Sequence, residues 1–415
     1  MRKHLQMLLV AAMFLSMSMA YGVGFQLYSE SSTEALAVAG AVVGSKNRLS
    51  NAWYNPATLT SFDKPAIQAG ATALKLSITY DYNDGSDDLQ NPFRPTGYLY
   101  GVVPMDNGLV LGLSLNAPYG MITEWDNDFK EANMATYTNI RVAYSTISLA
   151  WKVNDQLSLA FGFNNASAIA RIARNLPASD SGQNKMYMRA DDYFSPGFVL
   201  SAHYQATEEW GFGAHYQSRV RLDLDGDVSY RHGYHPVPGV NVFKEGDVSA
   251  KITLPSSLAL GVANNSFKDL TLMFDAVWSE WSTYDSLNIA FEHMPGTTTG
   301  AKGVSEKPKD WDDSWSFRFG AEYALNENWK IRGGYMYDMC QDNDKYRSAE
   351  MPDNNRHLFS TGVSYTLDSW TIDLAYAYLY FEPSKMGTYY KDSTARGKFK
   401  NEDVHIVSIG VTKRF

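Results

Sequence analysis

Cysteine and positive charge are both scarce in this sequence. Cys340 is the single cysteine among 415 residues, and 36 Lys and Arg stand against 45 Asp and Glu, which gives a formal net charge of −9. One cysteine excludes a disulfide framework and a metal site built from cysteine thiolates. The negative charge argues against nucleic acid as a partner, because a polyanion would be repelled.

Long apolar runs are also lacking, apart from the start of the chain. A basic pair, Arg2-Lys3, precedes an apolar stretch at residues 8–19. Together with small residues at a cleavage site, this order predicts a secretory signal peptide at residues 1–22, cut after Ala20 or Gly22. A membrane anchor is excluded there by length, since a helical span needs about 20 apolar residues. We therefore expect an exported protein without a transmembrane helix.

Beyond residue 65, large apolar residues alternate with small or polar residues at a period of two along most of the chain. In four representative segments the large residues of one face are Leu109, Leu111, Leu113 and Leu115; Ile147, Leu149, Trp151 and Val153; Trp315, Phe317, Phe319 and Tyr323; and Trp370, Ile372, Leu374, Tyr376, Tyr378 and Tyr380. The opposite face is mostly small or polar. This pattern alone is compatible with a soluble β-sandwich or with a membrane barrel.

The lengths of the connections separate these two folds. Short turns are predicted at residues 105–108, 154–156, 207–209, 264–269, 326–328 and 368–369. Long polar loops are predicted at residues 81–96, 117–141, 172–192, 226–250, 292–312, 340–355 and 383–400. Six turns alternating with seven loops join fourteen strands, with both chain ends on the short-turn side. The sequence therefore predicts an all-β protein, a fourteen-stranded antiparallel transmembrane β-barrel in the outer membrane of a Gram-negative bacterium.

Aromatic residues at the strand ends agree with this fold. A tryptophan follows three of the short turns directly: Trp210, Trp329 and Trp370. We expect all three to point outward and to form part of an aromatic girdle at the periplasmic interface. The last strand ends on Phe415, which is the usual ending of an outer-membrane barrel.

Residues 23–65 differ from the rest of the chain because they do not alternate. They are rich in Ala, Gly and Ser, and residues 35–41 form a run of small residues that suits one short helix. We interpret this segment as a small N-terminal hatch that plugs the barrel formed by residues 66–415.

An ordered set of short motifs then resembles one known family. These motifs are Gly24-Phe25-Gln26-Leu27, Asn55-Pro56-Ala57, Ala117-Pro118-Tyr119-Gly120, Leu254-Pro255-Ser256-Ser257-Leu258, Trp278-Ser279-Glu280-Trp281-Ser282, Trp329-Lys330-Ile331-Arg332-Gly333-Gly334-Tyr335 and Met351-Pro352-Asp353-Asn354-Asn355-Arg356. In this order they resemble the FadL family of outer-membrane transporters of long-chain fatty acids and other hydrophobic compounds. The resemblance covers the whole mature chain.

The resemblance implies a gated, sideways route for the ligand. A ligand caught by external loops would pass to an internal site, the N-terminus of the hatch would move, and the ligand would leave through a gap at an inward kink in the third strand. The implied gate residues are Val23, Gly24, Phe25, Asn55, Pro56 and Ala57. Gly112, Asn116 and Pro118 are the candidates for the kink, because Gly within a strand and Pro at its end mark a bulge or pairing break; a strand that simply ends there is the alternative.

A fatty acid also needs a cation for its carboxylate in an apolar cavity. The candidates are Arg171, Arg174, Arg318 and Arg332, although each of them is also suited to balancing lumenal acids. The resemblance implies two basic residues, one near the end of the fifth strand and one near the start of the tenth. At the second place the chain has the acidic sequence Trp311-Asp312-Asp313, and Lys307 and Lys309 precede it.

Other functions remain as alternatives. The sequence contains no nucleophile elbow and no His-Glu-x-x-His motif, so we expect neither an enzyme, nor a metal site, nor a cofactor, and we interpret His203 and His215 as members of a lumenal polar network. The expected partners are a long-chain fatty acid or another hydrophobic small molecule and the outer-membrane lipids, with the barrel acting as a monomer. Uptake of aromatic hydrocarbons, a general porin, and a surface adhesin or receptor using the external loops are the competing interpretations.

Overall fold

The computed structural model describes Gln26 and residues 31–90, 93–176, 185–231, 243–295, 301–389 and 397–415. The predicted signal peptide and the gate residues Val23, Gly24 and Phe25 lie outside these described residues. No helix in the described part of the chain is both long and apolar enough to span a membrane.

Fourteen antiparallel strands close into one barrel. They are β1 (Ala66–Tyr82), β2 (Phe93–Pro104), β3 (Leu109–Glu124), β4 (Tyr137–Lys152), β5 (Leu157–Asn175), β6 (Lys185–Gln205), β7 (Trp210–Gln217 and Val220–Arg231), β8 (Gly246–Leu254 and Ser257–Phe267), β9 (Leu270–Ser279 and Ser286–Phe291), β10 (Gly303–Pro308 and Ser314–Ala324), β11 (Trp329–Asp338), β12 (Arg356–Leu367), β13 (Trp370–Phe381) and β14 (Lys398–Arg414). The predicted fold class and strand number are confirmed.

The barrel closes where the first strand meets the last. β1 pairs with β14 from Ala66 opposite Arg414 to Asp81 opposite Lys398, and with β2 on its other side. Closure pairs the first strand with the last, so neither is left as a free sheet edge in lipid, where no water is available to the backbone. All six short turns lie where the sequence predicts them, whereas several strands extend well into the predicted long loops.

The outer surface carries a continuous apolar band. Trp210, Trp329 and Trp370 are between 42% and 50% exposed and point outward, as predicted. On β10 the band extends from Tyr323 at the periplasmic end to Trp315. The strand residues that carry this band are the membrane-spanning segments. Gly303–Pro308 and the part of β5 beyond Phe163 lie on the external side of the membrane.

Residues 31–65 lie inside the barrel and are almost wholly buried. They form two short helices, α1 (Thr33–Leu36) and α2 (Asn51–Tyr54), followed by a 3-10 helix at Pro56–Ser61. This lumenal segment lies directly on the barrel wall. At Gly334 of β11, for example, a Cβ atom would lie 2.4 Å from the carbonyl carbon of Val38, so only glycine leaves room.

Candidate functional site

The Asn55-Pro56-Ala57 turn fastens the lumenal segment to the wall. The Asn55 Oδ1 atom accepts a hydrogen bond from the Ala57 amide at 3.2 Å, which caps the 3-10 helix that begins at Pro56. The Asn55 Nδ2 atom donates to the Val43 carbonyl at 2.8 Å and to the Ala202 carbonyl of β6 at 3.1 Å. One side chain therefore joins two parts of the segment to each other and to the barrel.

A buried carboxylate of β9 holds the middle of the same segment. The Asp275 Oδ2 atom accepts hydrogen bonds from the backbone amides of Val42 and Val43 at 2.8 and 2.9 Å. Arg318, which is 2% exposed, lies against the backbone of Gly40, whose φ of +79° is in the left-handed region. The candidate cation Arg318 therefore lies at the interface between the wall and the lumenal segment.

Arg332 belongs to a larger set of ion pairs at the periplasmic end of the lumen, which we call the lower ion network. Its members are Glu34 and Arg48 of the lumenal segment and Glu322, Lys330, Arg332 and Asp373 of the wall. Arg48 contacts Glu34 at 3.6 Å and Glu322 at 3.0 Å. Arg332 contacts Glu322 at 2.6 Å and Asp373 at 2.9 Å. A polar cavity of about 440 Å³, lined in part by this network, opens beside it.

β3 contains an irregularity at the place where the sequence suggests a kink. Its pairing with β4 shifts register between Asn116 and Tyr119, so a bulge contains Ala117 and Pro118. The strand does not end there: it continues to Glu124. Of the two alternatives drawn from the sequence, the bulge is the one that the structure contains. Beyond it the strand is buried on both faces, from Tyr119 to Thr123.

Above the bulge, β2 and β3 separate. Their pairing extends only from Pro104 opposite Val110 to Leu99 opposite Leu115, although both strands continue further. At the external end, the Arg94 guanidinium contacts the Glu124 carboxylate at 3.4 Å, and the Gln90 amide donates to the Glu124 carbonyl at 2.7 Å. The wall therefore has an unpaired stretch, with polar contacts across its upper end.

Gly112 has a different part in β3 from the one that the sequence suggests. It pairs regularly with Val102 and Ser148, so the backbone does not bulge there. A Cβ atom at Gly112 would lie 2.5 Å from the Leu59 Cδ1 atom of the 3-10 helix. Glycine at this position therefore lets the lumenal segment contact the strand that contains the bulge.

The two arginines at the end of β5 face opposite ways. Arg171 points outward and pairs with Asp191 of β6 at 2.6 Å, and the Tyr193 hydroxyl donates to the same carboxylate at 3.2 Å. Arg174 lies on the inward face, where its Nε atom is buried and has no hydrogen-bond acceptor among the described residues. Arg174 alone is therefore placed to meet a ligand inside the barrel.

Arg174 lies beside two lysines of β10 and the loop that follows its upper segment. We call Arg174, Lys307, Lys309 and Glu350 the upper cation cluster. Lys307 forms an ion pair with Glu350, in which the side chains are 19% and 9% exposed, and Lys309 is 3% exposed as a residue. Lys307 is on β10 because the strand begins at Gly303, inside the region that the sequence assigns to a loop. Lys307 thus lies near the start of the tenth strand.

Charge in this cluster is unbalanced, and the pKa values follow from that. Burial lowers the pKa of the Lys307 ammonium; Glu350 opposes this, while Arg174 and Lys309 add to it. Burial raises the pKa of the Glu350 carboxyl, but the attraction of Lys307, Lys309 and Arg174 prevails and holds that pKa below its ordinary value. The cluster therefore contains three basic side chains around one carboxyl, and Lys309 also lies close enough to Asp342 to lower the pKa of that carboxyl.

The surroundings of the cluster are apolar. Burial raises the pKa of the Tyr230 hydroxyl on β7 to about 12, and the nearby charge of Arg174 acts in the opposite direction. That hydroxyl has no partner among the described residues. Buried apolar side chains of the same core include Leu176, Met186, Met188, Phe243 and Phe291. An amphipathic anion is the class of ligand that such a site suits.

A row of aromatic rings crosses the lumen below this cluster. Tyr119 lies 5.9 Å from Tyr144 and 6.1 Å from Trp281, and Trp281 lies 5.0 Å from Trp311, measured between ring centroids. Gln26 meets this row: its Oε1 atom accepts from the Trp281 indole at 2.9 Å, and its backbone forms a β-bridge with Tyr119. The N-terminal part of the chain therefore reaches the bulge.

The histidines of the lumen are satisfied by local contacts. Ser201 and His215 share a hydrogen bond of 2.8 Å, and the His203 Nε2 atom lies 3.2 Å from the Gly44 carbonyl. Within the described ranges, no group of three or more His, Cys, Asp or Glu side chains is arranged to hold a metal ion. Sequence reasoning missed Glu350 and Tyr230, since neither lies in a recognisable motif.

Comparison with known proteins gives a consistent result. A family model described as outer membrane protein transport protein (OMPP1/FadL/TodX) matches residues 12–415. The long-chain fatty acid transport protein of Salmonella typhi is 25% identical over 414 residues, which cover 91% of this chain and 92% of that protein.

Two solved structures support the fold. A Pseudomonas aeruginosa FadL homologue is similar with a TM-score of 0.83 and 22% identity, covering 95% of this chain and all of that one. The Ralstonia pickettii toluene transporter TbuX is similar with a TM-score of 0.72 and 18% identity, covering 94% and 99%.

Proposed function

Because the chain belongs to the family of outer membrane protein transport proteins (OMPP1/FadL/TodX), we propose that it takes up long-chain fatty acids. Family membership makes it an outer-membrane transporter of hydrophobic compounds. The relatives are transporters, in agreement with the expectation that this chain is not an enzyme. The proposal concerns the ligand and its route.

The observation that carries the proposal is the upper cation cluster. Among the described residues, Arg174, Lys307 and Lys309 lie around the carboxylate of Glu350 in a buried, largely apolar part of the barrel, with Asp342 beside Lys309. A ligand carboxylate would be attracted by these basic side chains, and an acyl chain would fit the apolar surroundings. An uncharged hydrocarbon would gain nothing from these cations.

The route that we propose leads sideways out of the barrel. In it, residues 1–22 are removed as a signal peptide, residues 23–65 act as a hatch, and residues 66–415 form the barrel wall. The ligand passes from the upper cation cluster along the aromatic row to the unpaired stretch between β2 and β3. Sideways release spares an acyl chain the crossing into the aqueous periplasm. The gate role of residues 23–25 and 55–57 is part of this proposal.

Aromatic hydrocarbons are the second candidate, and the aromatic row favours them. Four rings in a row, each about 5 to 6 Å from the next, offer edge and face contacts to a planar ligand without needing a charge. The similarity to the toluene transporter supports the fold only and does not decide between the ligands.

Uptake of labelled oleate and labelled toluene tests the proposal. Cells with the intact gene, with Asn55→Ala, and without the gene would be compared, with surface levels of the barrel measured in parallel. We expect gene-dependent oleate uptake that falls with Asn55→Ala, since this change removes both anchors of the turn. Gene-dependent toluene uptake with oleate uptake equal to the empty control would favour the second candidate instead.

A further inference from the structure

Glu350 has contacts on two sides of the barrel. Its carboxylate pairs with Lys307 of β10. Its own carbonyl accepts a hydrogen bond from the Thr123 hydroxyl at 3.2 Å, and the neighbouring Ala349 carbonyl accepts one from the Trp125 indole at 3.2 Å. Thr123 and Trp125 lie at the external end of β3. The loop at residues 339–355 therefore links the upper cation cluster to the strand that borders the unpaired stretch.

Among the described residues, the one further polar contact of the loop in this region is weak, although Ala349 also belongs to the same buried apolar cluster as Trp125 and Phe129. The Ala349 amide contacts the Met134 sulfur at 3.4 Å, which is a weak acceptor. Neutral hydrogen bonds of this kind each contribute less than a buried charge pair. The Lys307–Glu350 ion pair is thus the strongest single contact that keeps this part of the loop in place.

We propose that the carboxylate of the ligand exchanges with Glu350 at Lys307 and Arg174, and that this exchange releases the loop from the upper end of β3. The inference rests on the proposed function, because it requires an ionised fatty acid as the ligand. Glu350 acts as the resident anion of the site, and its departure is the step that couples ligand binding to the strand beside the unpaired stretch.

The exchange has a consequence for selectivity. It conserves the charge of the cluster, so an ionised fatty acid replaces one carboxylate with another and meets little electrostatic penalty. A fatty alcohol of the same length has no charge to offer, so Lys307 retains Glu350 and the loop stays bound. Glu350 therefore discriminates between ionised and neutral amphipathic ligands, and it does so by competing with the former.

Competition predicts that removing the charge of Glu350 improves binding of the anion. Equilibrium binding of oleate and of oleyl alcohol would be measured on the full mature chain in lipid nanodiscs, for the wild type and for Glu350→Gln. We expect Glu350→Gln to bind oleate roughly tenfold more tightly and oleyl alcohol with unchanged affinity. Glu245→Gln is the matched control, because it removes one exposed carboxylate outside the loop at residues 339–355 and outside the cluster.

Two further measurements keep the test independent of misfolding. The double variant Lys307→Met/Glu350→Gln leaves no unpaired charge of the pair, and we expect it to fold and to lose the preference for oleate. Hydrogen exchange at residues 346–351 reports release of the loop: oleate is expected to speed exchange several-fold in the wild type, whereas oleyl alcohol is not.

The outcomes separate this inference from the proposed function. Oleate binding that depends on Lys307 but is not strengthened by Glu350→Gln would overturn the exchange and leave the fatty acid assignment standing. Tighter binding without a change in exchange at residues 346–351 would overturn the release of the loop. Absence of oleate binding in both the wild type and Glu350→Gln would overturn the assignment and the exchange together.

Discussion

Two buried groups of charges lie at opposite ends of the lumen. In the lower ion network, the three cations Arg48, Lys330 and Arg332 meet the three carboxylates of Glu34, Glu322 and Asp373. In the upper cation cluster, three basic side chains surround the single carboxylate of Glu350, and Asp342, which pairs with Arg347, also attracts Lys309. Both groups are largely buried, so burial does not explain why the charges are balanced in the lower network and unbalanced in the upper cluster. A neutral, fully paired network suits a fastening between the lumenal segment and the wall, whereas an unbalanced cluster suits the binding of an anion.

The largest effect is expected from breaking the fastening. Glu322→Gln leaves both Arg48 and Arg332 without their shared carboxylate, and loss of one partner from a buried charge network costs about 3–5 kcal/mol. We expect hydrogen exchange of residues 42–55 to rise sharply while oleate affinity is unchanged. Lys330→Gln is the control, because its side chain is 48% exposed and its loss should cost under about 1 kcal/mol. Equal effects of the two variants would contradict a fastening role for this network.

Lys307→Met is expected to have the next largest effect, on ligand binding rather than on the fastening. Removing one partner of a buried charge pair costs about 2–3 kcal/mol of binding, which corresponds to roughly 30- to 150-fold weaker oleate affinity. Oleyl alcohol affinity and exchange at residues 42–55 should not change. Lys302→Met removes an exposed lysine close in sequence and serves as the control. An unaltered oleate affinity in Lys307→Met would contradict the upper cluster as the anion site.

Gly112→Ala probes the contact between the lumenal segment and β3 without changing any charge. The new methyl group would lie 2.5 Å from the Leu59 Cδ1 atom and 2.6 Å from the Ser148 Oγ atom, and overpacking of this kind costs about 1–2 kcal/mol. We expect displacement of the 3-10 helix, seen as faster exchange at residues 56–61, and recovery in Gly112→Ala/Leu59→Ala. In Gly101→Ala the added atom would lie 3.9 Å from its nearest neighbour, so little change is expected. Failure of the second substitution to restore protection would argue against direct contact as the cause.

The smallest effect is a titration confined to the loop at residues 339–355. Burial raises the pKa of the Asp342 carboxyl to about 6, even though Arg347 and Lys309 lower it. A carboxyl whose folded pKa lies above its unfolded value stabilises the fold below the unfolded pKa, and this stability is lost as pH rises through the folded one. The hydrogen-exchange rate of this loop would be measured at each pH in the wild type and in Asp342→Asn. We expect the ratio of the wild-type rate to the Asp342→Asn rate to rise a few-fold between about pH 4 and pH 6.

Using this ratio removes the intrinsic effect of pH on the exchange chemistry. Asp344→Asn is the control, since the Asp344 side chain is 92% exposed. A ratio that stays level across the same range would show that Asp342 does not titrate in this window.

The barrel could be predicted from sequence because membrane strands obey a simple rule. Lipid outside and a packed lumen inside impose alternation, and the turns at the periplasmic end are short enough to fix the strand number. Outside the membrane this constraint ends. At Gly303–Pro308 the outward residues include Val304 and Glu306, so no apolar face reveals the strand, and the position of Lys307 could not be predicted.

The site was only partly predictable for the same reason. Arg174 and Arg171 lie three residues apart near a strand end, and the unbroken pairing of β5 with β4 as far as Ala173 carries the alternation that places Arg174 inward and Arg171 outward. Glu350 reaches Lys307 from a loop 43 residues further along the chain, and the carbonyl of Glu350 contacts Thr123 of β3, 227 residues earlier. Contacts of this kind depend on closure of the whole barrel and leave no local pattern.

The separation of β2 and β3 also has a mechanical consequence. The seam between β1 and β14, where the chain ends meet, is paired along nearly the full length of both strands. The pairing of β2 with β3 extends only from Pro104 and Val110 to Leu99 and Leu115. Under force or denaturant the barrel should therefore open first between β2 and β3, while β1 and β14 stay paired. Because the short turn between β2 and β3 keeps their register, the two strands should pair again directly when the force is removed.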